Sequence, residues 1–217
     1  MPRTRFILML AGRCTQDAVL IALLLALLLA LPGCGRDLAS PDPGYEDFRV
    51  TSFDLIDTGG EPADESILEG SYTVVDFIFT NCPIYCPTMA VAMKRVQTET
   101  EGTNTRLLSI SVDGINDTPE VLDTYADTIG ADRDRWVFLT GPRDATRNLA
   151  EKQFMLGVSI DPSRPITTRD GATMDFIDHP TRLILVGPDR QILGTYSYND
   201  PAQIDLLIAR LRRIAKD

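Results

Sequence analysis

Residues 73–99 read TVVDFIFTNCPIYCPTMAVAMKRVQTE. The first seven, Thr73–Phe79, are a short β-branched and aromatic run, the composition of a strand buried on both faces. From Pro87 the apolar residues change period. Met89, Ala92, Met93 and Val96 recur at helical spacing and predict a helix over 87–101, with Pro87 suited to its first turn. The connection between the two elements carries Cys82 and Cys86. Backbone N–H groups and the positive end of the helix dipole are expected to make thiols at that place more acidic than free cysteine.

Similar units follow outward from this one. Arg106–Val112 reads as a strand, and Thr118-Pro119-Glu120 opens a helix that stops at Gly130. Trp136–Thr140 and Asp144–Lys152 form a further strand and helix. Residues 161–178 lack periodicity, hold two prolines, and read as a long irregular stretch of the kind that is more often functional than idle. Arg182–Val186 and Gln191–Tyr196 flank Gly187-Pro188-Asp189 as a hairpin, and Pro201–Lys216 is an amphipathic helix with arginines near its end. Upstream, Phe48–Leu55 and the Thr58-Gly59-Gly60 turn suggest an opening hairpin. This α/β order calls for a central mixed sheet flanked by helices, with an N-terminal hairpin and an inserted strand-helix. It is the order of a thioredoxin-like fold.

Composition agrees with one globular domain: 44% of residues are hydrophobic and 24% charged, without repeats. A formal net charge of −10 argues against nucleic acid as a partner, because phosphate binding needs a clustered basic surface. The first 33 residues read as a signal peptide. Arg3, Arg5 and Arg13 precede the apolar run of residues 18–31, which as a helix spans ~21 Å against a hydrocarbon core of about 30 Å. Leu31-Pro32-Gly33-Cys34 resembles a bacterial lipobox, so Cys34 is the expected lipidation site. The alternative is an uncleaved anchor. Either way the rest of the chain faces the periplasm or extracytoplasmic space. Residues 34–47, rich in Pro, Gly and Asp, are expected to be a flexible tether, and the thioredoxin-like domain to occupy 48–217.

Excluding Cys14 and Cys34 leaves Cys82 and Cys86 for the domain, together with the chain's one histidine, His179. A structural disulfide is one reading of the pair, but closing so short a loop contributes only about 2 kcal/mol. In a thioredoxin-like fold the loop entering the 182–186 strand lies beside the start of the cysteine helix, which sets His179 across from the thiols. Two thiolates and an imidazole suit Cu(I), tolerate Cu(II), and could hold Zn(II) with one position open. Met89 and Met174 are possible thioether ligands, with core packing the commoner role for Met89. Asp175 and Asp178 could orient the imidazole.

Four stretches, FTNCPIYCPTM, Ser111–Pro119, Trp136–Gly141, and His179 with its apolar strand and Gly-Pro-Asp turn, give the chain a resemblance to the Sco (SenC) family of thioredoxin-like copper proteins. The resemblance implies a membrane-tethered copper chaperone, or a thiol-disulfide reductase, that helps build the dinuclear copper centre of cytochrome c oxidase. Its partner would be the copper-bearing subunit of that enzyme or another copper or thiol protein. Cys82 and Cys86 match the family's redox-active, copper-ligating pair and His179 its third ligand. Asp113 and Asp117 match acidic positions expected to influence copper or partner docking. Ile84 stands where many members have an acid, and Pro180 where a small hydroxyl residue is usual. An exported thiol-disulfide oxidoreductase without obligatory copper is the competing function. Its dedicated members more often carry C-x-x-C than the C-x₃-C found here.

Overall fold

A computed structural model describes residues 37–83, 85–168 and 170–216. The strands are β1 (Asp54–Asp57), β2 (Pro62–Asp64), β3 (Tyr72–Ile78), β4 (Thr105–Ser111), β5 (Trp136–Thr140), β6 (Ser159–Thr167), β7 (Thr173–Asp178), β8 (Arg182–Val186) and β9 (Ile192–Ser197). The helices are α1 (Cys86–Glu99), α2 (Pro119–Thr128), α3 (Arg143–Gln153) and α4 (Pro201–Ile214), with a 3-10 turn at Glu65–Leu68. Seven strands form one sheet in the order β2-β1-β5-β4-β3-β8-β9. The β3, β4 and β5 strands are parallel, as the intervening helices require, whereas β8, β9 and the opening hairpin run antiparallel. The thioredoxin-like mixed sheet expected from the order of elements is therefore the observed one.

The central strand β3 is buried from Thr73 to Ile78, as its near-continuous apolar run predicts. Helix α1 packs beside β4 and buries Met89, Ala92, Met93 and Val96, the residues picked out by their spacing. Helices α2 and α4 begin at proline and are capped by Thr118 and Asp200, whose side chains accept from Val121 N and Ala202 N. No side chain caps α1 at Tyr85. Its first N–H groups thus open toward the cysteine loop.

Two expectations are corrected. Residues 161–178 are not irregular: β6 and β7 form a separate two-stranded hairpin with a register shift between Asp161 and Pro165. The two prolines hid it, since they break the alternation and are tolerated only at such an edge or bulge. Most of β6 is also exposed, so it carries no apolar face to read.

Residues 38–47 are not a loose tether. Arg210, 7% exposed, donates from Nε to Leu38 O at 2.7 Å, from Nη2 to Ser40 O at 2.6 Å, and from Nη1 to Asp42 Oδ1 at 3.1 Å. Asp42 N also bonds Leu193 O at 2.8 Å, and Tyr45 and Thr195 share a hydroxyl hydrogen bond at 3.0 Å. Gly194 makes room for this strap, because a Cβ there would lie 2.2 Å from Asp42 Oδ2. The compact unit therefore starts at Leu38 rather than Phe48. A Pro- and Asp-rich segment has no apolar period, so only its distant partner, a buried guanidinium, could reveal its order. Arg210→Ala is expected to lower the unfolding free energy by about 2–4 kcal/mol. A lower urea midpoint and faster amide exchange confined first to residues 38–47 would register it.

Candidate metal centre

Strand β3 lies between β4 and β8, where the chain's path reverses, and the crevice at its carboxyl end is the usual ligand position in an open α/β sheet. The cysteine loop leaves β3 at that end. Its second residue, Thr80, is pinned from below: Asp117 accepts from Thr80 N at 3.0 Å, from Thr80 Oγ1 at 2.5 Å and from Ser111 Oγ at 2.6 Å. Cys82 N then bonds Phe79 O at 3.1 Å, and Tyr85 N points to Cys82 Sγ at 3.4 Å. Cys86 is the first residue of α1.

The pairing of β8 with β3 brings the histidine. Thr73 faces Val186, Val74 faces Leu185 and Val75 faces Ile184. Carried on antiparallel, that register sets His179 level with Thr80, two residues before Cys82. His179 Nε2 lies 3.7 Å from Cys86 Sγ, and Nδ1 lies 3.1 Å from Pro180 O. A carbonyl can only accept, so Nδ1 carries the proton and Nε2 turns its lone pair to the sulfurs. The backbone carbonyl performs this orientation, so a proline at 180 removes no acceptor.

One ligand atom from each of Cys82, Cys86 and His179 lies within 4.8 Å of the others. The three residues are 5%, 2% and 4% exposed, so a metal held there is nearly excluded from water. Neither sulfur is in a disulfide. Phe79 meets the imidazole edge-on with centroids 5.4 Å apart, and Phe176 packs against Phe79 at 5.9 Å and Tyr85 at 6.4 Å. Through Phe176 the β6–β7 hairpin becomes one wall of the site. A groove of about 400 Å³ opens on the cysteine side, lined by Pro87, Ala90, Val91 and Ile129 among others. On the histidine side Tyr85, Arg182 and Tyr198 line a second opening of about 340 Å³.

The electrostatics depart from the sequence expectation. The Cys86 thiol is held well above the ordinary cysteine range, first by its hydrogen bond with Cys82, then by burial and the charge of Cys82 and Asp76. The sequence reading, resting on the helix dipole, expected the opposite direction. Below the site, burial raises Asp76 to about 7, against a hydrogen bond from Ser109 and the opposing influence of His179. Ser109 Oγ donates to Asp76 at 2.6 Å and receives Trp136 Nε1 at 2.9 Å. Burial and the neighbouring Tyr85, Cys82 and Cys86 also push up the Tyr198 phenol.

The acidic residues expected near the site have different places. Asp113 and Asp117 are fully buried, so their carboxylates are unavailable for partner docking. Asp113 pairs with Arg143 at 2.9 Å and accepts from Asn116 at 2.7 Å. Burial raises the pKa of Asp117 despite its three hydrogen-bond donors. Their loop packs so closely that a Cβ on Gly114 would sit 1.8 Å from Gly141 O. Asp175 and Asp178 are exposed, and Pro180 O takes the role proposed for them on the imidazole. Met89 is fully buried, and Met174 Sδ receives Asn116 Nδ2 at 3.8 Å. Cys34 and Ile84 lie outside the described residues. Sequence reasoning missed Asp76, Tyr85, Phe176 and Tyr198. Asp76 alone left a signal, as a lone acid inside an apolar strand.

The SCO1/SenC family profile matches residues 42–216. The chain belongs to the SCO1/SenC family. BsSco, described as a member of the Sco family of cytochrome c oxidase assembly proteins and as carrying a disulfide switch, is 28% identical, with a TM-score of 0.63 over 80% of this chain and 95% of that one. A SCO1/SenC family lipoprotein from Bacillus anthracis is 25% identical, with a TM-score of 0.64 over 78% and 96%. Arabidopsis thaliana ScoI, solved with copper bound, is 21% identical and shares the fold, with a TM-score of 0.62 over 75% and 98%.

The raised Asp76 predicts a pH dependence of stability. Between about 4 and 7 the folded chain holds a proton there that the unfolded chain releases, so stability falls as pH rises. From pH 5 to 8 the loss should be roughly 2–3 kcal/mol, and Asp76→Asn should remove that part of the slope. Urea unfolding of both proteins across this range is the measurement, and equal slopes would refute the assignment.

Proposed function

We propose that the protein is a membrane-tethered copper-binding factor that matures the dinuclear copper centre of cytochrome c oxidase, holding one copper ion as cargo between Cys82, Cys86 and His179. The observation that carries this reading is the convergence of two thiols and one correctly oriented imidazole within 4.8 Å, in a pocket nearly closed to water. Soft sulfur donors with an imidazole select copper over hard cations. The BsSco relative, named for cytochrome c oxidase assembly, and the B. anthracis relative, named a lipoprotein, support the partner and the tether. The lipobox-like Leu31–Cys34 supports lipidation of Cys34 and an extracytoplasmic location. No helix among the described residues is long and apolar enough to cross a membrane.

The residues divide the work simply. Binding copper displaces the thiol protons of Cys82 and Cys86, so affinity should fall as pH drops. His179 supplies a neutral lone pair, and Pro180 O keeps its tautomer. Asp117 holds the cysteine loop at fixed height, and the cysteine-side groove is the route by which a receiving ligand reaches the sulfurs.

A copper titration of the reduced protein against a competing chelator tests the reading. Tight one-to-one binding is expected. His179→Ala should weaken it by roughly two orders of magnitude, and Cys82→Ser or Cys86→Ser by at least as much. Unchanged affinity in His179→Ala would overturn the three-ligand site. Disulfide exchange by Cys82 and Cys86, indifferent to copper, would then be the function to assay.

A further inference from the structure

The strap that Arg210 holds ends beside an unusual face of α4. Leu206 and Arg213 lie four residues before and three after Arg210, and so flank it on the same side of the helix. With Ala202 and Ala209 they form an outward stripe, all exposed, in which Leu206 is 65% exposed. Lys216 is exposed just past the helix end. Arg213 and Lys216 form no ion pair among the described residues. On the adjoining flank Asp205 pairs with Arg95 at 2.5 Å, and Arg212 with Glu99 at 3.4 Å. The stripe is thus apolar along its length and positive toward one end.

Chain length says what lies nearby. Four peptide steps separate Leu38 from Cys34, and a fully extended chain of four residues reaches at most about 14 Å. Acyl chains on Cys34 would sink into a bilayer, so Leu38, the start of the strap that Arg210 of α4 grips, would stay within that distance of the lipid headgroups. The whole chain's net charge is −10, and the segment before Cys34 holds three arginines against one aspartate, so the acylated chain is more acidic still and repels an anionic bilayer overall; a face that meets one must be locally positive. An exposed leucine beside cations fits the boundary between headgroups and acyl chains.

We propose that the outer face of α4, through Leu206, Arg213 and Lys216, rests on an anionic lipid surface and fixes the orientation of the domain on the membrane. The proposal rests on the lipoprotein reading of Cys34. Helices α1 and α4 lie side by side, and Tyr198, just ahead of α4, lines the histidine-side opening. A domain lying on α4 therefore holds its metal centre at its flank, facing along the membrane toward a membrane-embedded partner rather than away from it.

The test uses the full acylated chain in vesicles of brominated phosphatidylglycerol, with Leu206→Trp as reporter. The chain's one native tryptophan, Trp136, is 1% exposed. Ile115→Trp, on the exposed residue of the loop after β4, is the control. Leu206→Trp should be quenched about threefold more strongly than Ile115→Trp, and adding Arg213→Glu with Lys216→Glu should abolish the difference. Equal quenching of the two reporters in acylated protein, or quenching untouched by the charge reversal, overturns the proposal and leaves the lipoprotein reading standing. A mass spectrum with Cys34 unacylated ends the lipoprotein reading, and this proposal with it.

Discussion

The antiparallel pairing of β8 with β3 is the constraint on which the site depends. It sets His179 at the height of the cysteine loop although 93 residues separate His179 from Cys86. Side chains alternate faces along a strand, so a slip of one residue would exchange Leu183 and Leu185 with Ile184 and Val186 between the two packed faces of the sheet. Those side chains are almost fully buried, as are Val74 and Val75 opposite them. Core packing of the two strands therefore holds the register, and the register holds the imidazole.

A polar framework beneath the loop makes this placement rigid. Asp117 gathers Thr80 and Ser111, Asp113 gathers Arg143 and Asn116, and both do so without contact with solvent. Buried carboxylates are tolerable only with such a full set of donors. The chain places acids near its site as internal fasteners, and the surface around the sulfurs is left mainly apolar.

The same burial shapes the chemistry. Two adjacent thiols and Asp76 share a volume that disfavours negative charge: the Cys86 thiol is pushed up first by its hydrogen bond with Cys82 and then by burial, and Asp76 by burial. A bound cation reverses that logic, since it compensates the thiolates it creates. A site that resists ionisation when empty and accepts it with metal is suited to holding a soft cation out of water. The start of α1, where Tyr85 makes no side-chain cap, adds a favourable dipole to that balance.

Local pattern and spacing determined most of the architecture. The buried run of β3, the helical period of α1, the caps Thr118 and Asp200, and the Gly-Pro-Asp hairpin are all signals within a few residues of the elements they build, so they survive in a single sequence. Cys82, Cys86 and His179 were legible because so few residues of those types remain after the signal segment. Tertiary structure decided what depends on distant partners. The β6–β7 hairpin escaped because its prolines and exposed surface erase the period, yet Phe176 from it walls the site. The order of residues 38–47 depends on Arg210, about 170 residues away. The upward shift of Cys86, set first by its hydrogen bond with Cys82 and then by burial, and the buried places of Asp113 and Asp117 are properties of the packed whole that no stretch of sequence carries by itself.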